Sequence, residues 1–154
     1  MSSLPPPDPI ARLLAIHAET RRRLQAWADA PSVSPALDAW LEGPAHRADQ
    51  ILEQRLFPAL IESMAGSDAT CIKGMTSGLA QTRAALDQRW HHTVRPALRE
   101  APDSTAPDAC LTWIRDMQAW LARADTELLP MAARLLDDDA LAALAADCSA
   151  LDHT

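Results

Sequence analysis

Apolar residues recur along this 154-residue chain at helical spacing, and prolines punctuate the pattern. Asp8-Pro9 places a capping carboxylate before a proline in a first helical turn. Ile10, Leu13, Leu14, His17 and Leu24 then share one stripe, with His17 near its centre, until Pro31 ends the helix. Ser34-Pro35 starts a short helix through Leu41, broken at Gly43-Pro44, and a second long helix runs on to about Ala65 with a bend at Pro58. Gly66-Ser67-Asp68 reads as a turn. The third long helix spans about Thr70 to Glu100, carrying Met75, Leu79, Leu86 and Trp90 on one face and bending near Pro96. Pro102 to Pro107 is a loop of turn-forming residues. The fourth long helix aligns Ile114, Met117, Leu121, Ala124, Leu128 and Leu135 and kinks at Pro130. Asp137-Asp138-Asp139 caps a last amphipathic helix ending near Leu151. The pattern predicts one all-α domain over residues 1–154: an antiparallel, up-down-up-down four-helix bundle with additional short helices, residues 1–7 forming a Pro-rich tail.

The second long helix carries the departure from this pattern. At about 100° per residue, Leu56, Phe57 and Leu60 define an apolar stripe whose upward continuation meets Glu53, Asp49 and His46. Three ionisable groups fall where Leu, Ile or Val belong, and a buried charge needs a partner of opposite charge, hydrogen bonds or a metal.

A weak internal repeat frames these positions. Ala18-Glu-Thr-Arg-Arg-Arg-Leu24 matches Ala80-Gln-Thr-Arg-Ala-Ala-Leu86, and Glu53-Gln-Arg-Leu-Phe-Pro58 parallels Asp125-Thr-Glu-Leu-Leu-Pro130. In this register His17 corresponds to Leu79, Asp49 to Leu121, Glu53 to Asp125 and Arg21 to Arg83. The polar groups sit in the first half; the second half has mostly leucine in their place.

Composition narrows the function classes. Hydrophobic residues make up 48% and charged residues 23%, which suits a globular core, and Ala and Leu dominate over four glycines. A net charge of −7 argues against nucleic acid as a partner. Cys71, Cys110 and Cys148 show no paired spacing, so neither a zinc knuckle nor attached haem is indicated. No apolar run reaches membrane-spanning length, and Ser2-Ser3-Leu4-Pro5-Pro6-Pro7 has no signal-peptide core, so the expected location is the cytoplasm. There is no Gly-rich phosphate loop and no Ser/His/Asp arrangement.

Histidines and carboxylates on facing helices hold metals inside bundles. Asp49 and Glu53 are one turn apart, His46 lies a turn above Asp49, His17 comes from the neighbouring helix, and Asp125 lies about 60° off its own stripe. Together they form a candidate N/O ligand set of His17, His46, Asp49, Glu53 and Asp125 for iron, manganese or zinc.

The chain resembles the hemerythrin-like (HHE cation-binding) family in Leu13-Leu-Ala-Ile-His17, in Glu53-x-x-Leu-Phe-Pro-Ala-Leu60, in Glu127-Leu-Leu-Pro-Met-Ala-Ala-Arg-Leu-Leu136 and in the acidic, then Ala-rich ending from Asp137 to Ala146. The resemblance implies a hemerythrin-like fold and a non-haem iron site for storage, sensing or oxygen and nitric-oxide chemistry. Of the family's ligand positions, His17, Glu53 and Asp125 match; those of the other histidines fall at Asp49, Leu79 and about Leu121. The site is therefore expected in reduced form, with no turnover of an organic substrate.

A second reading stays open: Arg21 or Arg83, each about 40° from its stripe centre, pairs with Asp49 or Glu53 and leaves a metal-free interaction protein. His91-His92 diverge by about 100° and read as a solvated face, while His153 belongs to the terminus. The five tryptophans read as packing residues, and Trp90 with Val94 suggests an aromatic patch and a homodimer.

Overall fold

The computed structural model describes residues 8–63, 67–100, 108–149 and 151. The expected Pro-rich tail, the 102–107 loop, Gly66 and His153 lie outside these residues. Five helices hold most of the described residues: α1 (Pro9–Asp29), α2 (35–63), α3 (67–100), α4 (108–135) and α5 (Asp138–Ser149). No strand occurs among the described residues. The starts follow capping chemistry. Asp8 accepts from the Ile10 N–H, Ser34 from the Leu37 N–H at 3.2 Å, and Asp137 from the Ala140 N–H at 2.7 Å. The third helix begins at Ser67, so Ser67 and Asp68 of the expected turn are helical instead.

Cross-helix contacts define the packing. α1 lies against α2, α4 and α5, α3 lies against α2 and α4, and α5 also touches α2. Trp113 donates to the Leu86 carbonyl and Trp120 to the Leu79 carbonyl, so α3 and α4 run antiparallel. Arg21 meets Asp125 while Gln25 meets Gln118, which sets α1 and α4 antiparallel too. One apolar cluster joins the helices, with Leu13, Leu24, Leu52, Leu56, Leu60, Leu79 and Leu128 fully buried. Trp90 and Val94 lie inside it, so the surface patch expected there does not exist. No helix among the described residues is long and apolar enough to cross a membrane.

The expected break at Gly43-Pro44 does not occur, and π turns accompany the prolines within the helices. Gly43 and Pro44 do not interrupt α2; they sit within a π-helical turn, Leu41–Ala45, and the helix continues. Three further π turns, Leu52–Leu56, Trp90–Val94 and Ala124–Leu128, each end two residues before a proline: Pro58, Pro96 and Pro130. A helical proline has no N–H and its ring collides with the carbonyl four residues earlier. Widening the preceding turn moves that carbonyl away. The residue before each proline donates five residues back: Phe57 to Leu52, Arg95 to Trp90 and Leu129 to Ala124.

Each π turn inserts one residue into the register, which corrects the reading of α2. Counting back from Phe57 reaches Leu52 and Ala48 rather than Glu53 and Asp49, and the next turn up reaches Ala45 rather than His46. Leu52, Ala48 and Ala45 are all buried. Glu53 and His46 are exposed, and Asp49 remains just inside the rim, at 9% exposure.

Candidate functional site

Two clusters of charged groups fill the places where the sequence puts ionisable residues. The first joins α1 to α4. His17, 2% exposed, sits on the apolar stripe of α1 and meets Asp125 Oδ1 through Nδ1 at 2.6 Å. Arg21, one turn further on, donates to Asp125 Oδ2 at 2.6 Å. Asp125 lies in the Ala124–Leu128 π turn and is partly buried. Burial opposes its charge, but the hydrogen bonds and charges of His17 and then Arg21 outweigh burial and hold its pKa below the usual carboxylate value. An ionised carboxylate only accepts, so the His17 Nδ1–H donates and Nε2 is the atom left over. Nε2 is buried without a hydrogen-bond partner.

The second cluster joins α2 to α3. Arg83, 8% exposed, donates from Nε to Asp49 Oδ2 at 2.7 Å, and Nη2 approaches the same oxygen. Its Nη1 is buried without an acceptor. Arg21 and Arg83 are equivalent in the repeat, and each crosses to an acid on an adjacent helix, but the acids differ. Arg21 takes Asp125 on α4, whereas Arg83 takes Asp49 on α2 rather than Glu53, the repeat counterpart of Asp125. Trp120 stands between the clusters. His17 meets its ring edge-on at 6.3 Å between centroids, and the Arg83 guanidinium carbon lies 5.9 Å from the ring centroid.

Glu53 belongs to neither pair. Burial of its partly covered carboxyl raises its pKa, repulsion from Asp49 and Asp87 adds to that, and Arg83 and His46 offset only part. With His46, Asp49, Gln50, Arg83 and Asp87 it lines a cleft of about 180 Å³ between α2 and α3. Further along this seam Glu42 accepts from Trp90 Nε1 at 2.6 Å, and Arg95 donates to Asp38 at 2.8 Å. These pairings set α2 and α3 antiparallel. His91 lies exposed beside Glu42 and Asp87, and His92 is exposed.

The five candidate ligands are therefore divided: His17 with Asp125 in one cluster, His46, Asp49 and Glu53 around the other. No group of three His, Cys, Asp or Glu side chains is arranged to hold a metal ion among the described residues. His17 alone has the form of a ligand, with a carboxylate behind Nδ1 and a spare Nε2. The carboxylates do not fit that role. Both Asp125 oxygens and one Asp49 oxygen are engaged by cations or imidazole, and Glu53 faces outward. Trp120 was legible only as one of five packing tryptophans; nothing in the spacing marks it as the residue between the two clusters. A comparison with protein-family models, curated proteins and solved structures finds no match to this chain.

Proposed function

We propose that this chain is a metal-independent helical-bundle interaction module, with guanidinium groups filling the places where a core metal would sit. The observation that carries the reading is the buried Arg83–Asp49 pair, with the repeat-equivalent Arg21 paired to Asp125. The helix order and the pairwise antiparallel packing support an up-down-up-down four-helix bundle of hemerythrin-like type, with α5 as an addition. In this reading the fold has been kept and the cation changed. Arginine is permanently charged and binds carboxylate through a planar fork, so it needs neither a fixed coordination number nor a particular redox state.

One observation favours a second reading. The buried, unpartnered Nε2 of His17 is what a single ion held by His17 and Asp125 would use. Metal analysis of protein purified without a histidine tag separates the two. Under the first reading the protein carries no stoichiometric iron, manganese or zinc, and adding each ion leaves the thermal midpoint unchanged. Stoichiometric metal that disappears in His17→Ala or Asp125→Asn would establish the second.

A further inference from the structure

We propose that the groove between the end of α1 and the start of α2 docks an acidic segment of a partner protein, anchored by an apolar side chain. The inference supplies the partner for the interaction module described above, and so rests on that reading. The groove has a volume of about 250 Å³ and is lined at its base by Trp27 and Leu37, both buried. Ala26, Ala30 and Ala36 complete its lining with side chains too short to fill it. Its size is below that of drug-sized pockets and suits an inserted side chain. Val33, 43% exposed, sits between Ser32 and Ser34, which also line the groove, and gives it an apolar lip.

Charge decides which segment fits. Arg22 and Arg23 line the same groove, and both donate to the one carboxylate of Glu19. Two guanidinium groups share a single anion, so one positive charge is left over at the rim. The Arg22 side chain is 67% exposed. A pair held in water, unlike the buried Arg83–Asp49 pair, contributes little, so Arg22 can exchange Glu19 for a partner's carboxylate at small cost. The neighbouring acids do not cancel the surplus: Asp29 accepts from Gln25, and Asp38 is held by Arg95 and Arg99. The net charge of −7 is spread over the rest of the chain, and salt screens charges beyond about 8 Å. A small anion would answer the surplus charge and leave the groove unfilled, and an apolar segment alone would do the reverse. A leucine or phenylalanine flanked by glutamate or aspartate does both.

Fluorescence anisotropy of dye-labelled peptides against the full chain tests this. The panel sets leucine or phenylalanine at varied spacing from a pair of glutamates, with all-glutamate and lysine-for-glutamate peptides as controls. The expected result is saturable binding of at least one acidic, apolar peptide at about 1 mM or tighter, about tenfold or more ahead of both controls. Arg22→Gln should weaken that binding by about tenfold. Ala26→Glu, at an exposed position one turn from Arg22, should abolish it while circular dichroism stays unchanged. Glu19→Gln removes the internal competitor and should tighten binding severalfold. No saturation by any peptide, equal binding of the all-glutamate control, or weaker binding to Glu19→Gln would overturn the inference. Thermal midpoints recorded with manganese and zinc keep the two claims apart. A midpoint raised by metal and not in Asp125→Asn overturns the metal-independent reading itself, whereas failed peptides on a protein indifferent to metal remove only this docking site.

Discussion

Asp125 and Glu53 occupy equivalent repeat positions, yet their environments push their protonation in opposite directions. For Asp125 the folded pKa is lowered, so its pairing contributes stability above the unfolded value of about 4 and loses it as pH falls through the folded value. Acidification should therefore lower the thermal midpoint of the native protein, and Asp125→Asn should flatten that part of the curve. For Glu53 the folded pKa is raised. The stability it contributes is complete below the unfolded value of about 4.3 and is lost as pH rises through the folded value. Glu53→Gln should raise the midpoint at pH 7, with the gain vanishing near pH 4. Calorimetric scans across pH on both variants check the pair, and a lower midpoint for Glu53→Gln at pH 7 would contradict the exposed, unpaired placement. The sequence marked both residues as important, but their partners lie on other helices and could not be assigned from spacing along one helix.

The π turns decide which faces of the helices are buried. Leu52→Ala should cost about 2–5 kcal/mol, as for other fully buried leucines, whereas Glu53→Ala should cost little; a urea titration of each variant measures the difference. The reverse order would restore the uninterrupted α register. At the α5 start, Asp137→Ala should cost about 1 kcal/mol and speed amide exchange in α5 more than in α3. Helix existence and order were legible because apolar spacing and capping signals are local, and Asp8-Pro9, Ser34-Pro35 and Asp137 all begin helices. The register of α2 was not. Pro58 announced a disturbance, but a bend and an inserted residue look alike in sequence, and only the second moves Glu53 off the core face. Leu14 shows a smaller error of a different kind: in an uninterrupted α-helix it lies at the margin of the α1 stripe, and is exposed.

At the level of the whole molecule, a single apolar cluster is joined across its helices by charged pairs rather than by leucine alone. Among the described residues, the exposed large apolar side chains are Leu14, Val33 and Leu111, and the tryptophans expected to support a dimer are partly or fully covered. With a net charge of −7 opposing self-association, light scattering at high micromolar concentration should give the monomer mass. A stable dimer mass would require an interface these surfaces do not suggest. The central claim is that Arg83 is the cation on which Asp49 depends, and a double-mutant cycle of Arg83→Met and Asp49→Asn measures it most directly. Each single change strands a buried partner and should cost on the order of 3 kcal/mol. The double variant should cost far less than the sum, with coupling of about 1–3 kcal/mol and no effect of added metal. Additive costs, or an Arg83→Met protein restored by manganese or zinc, would contradict it.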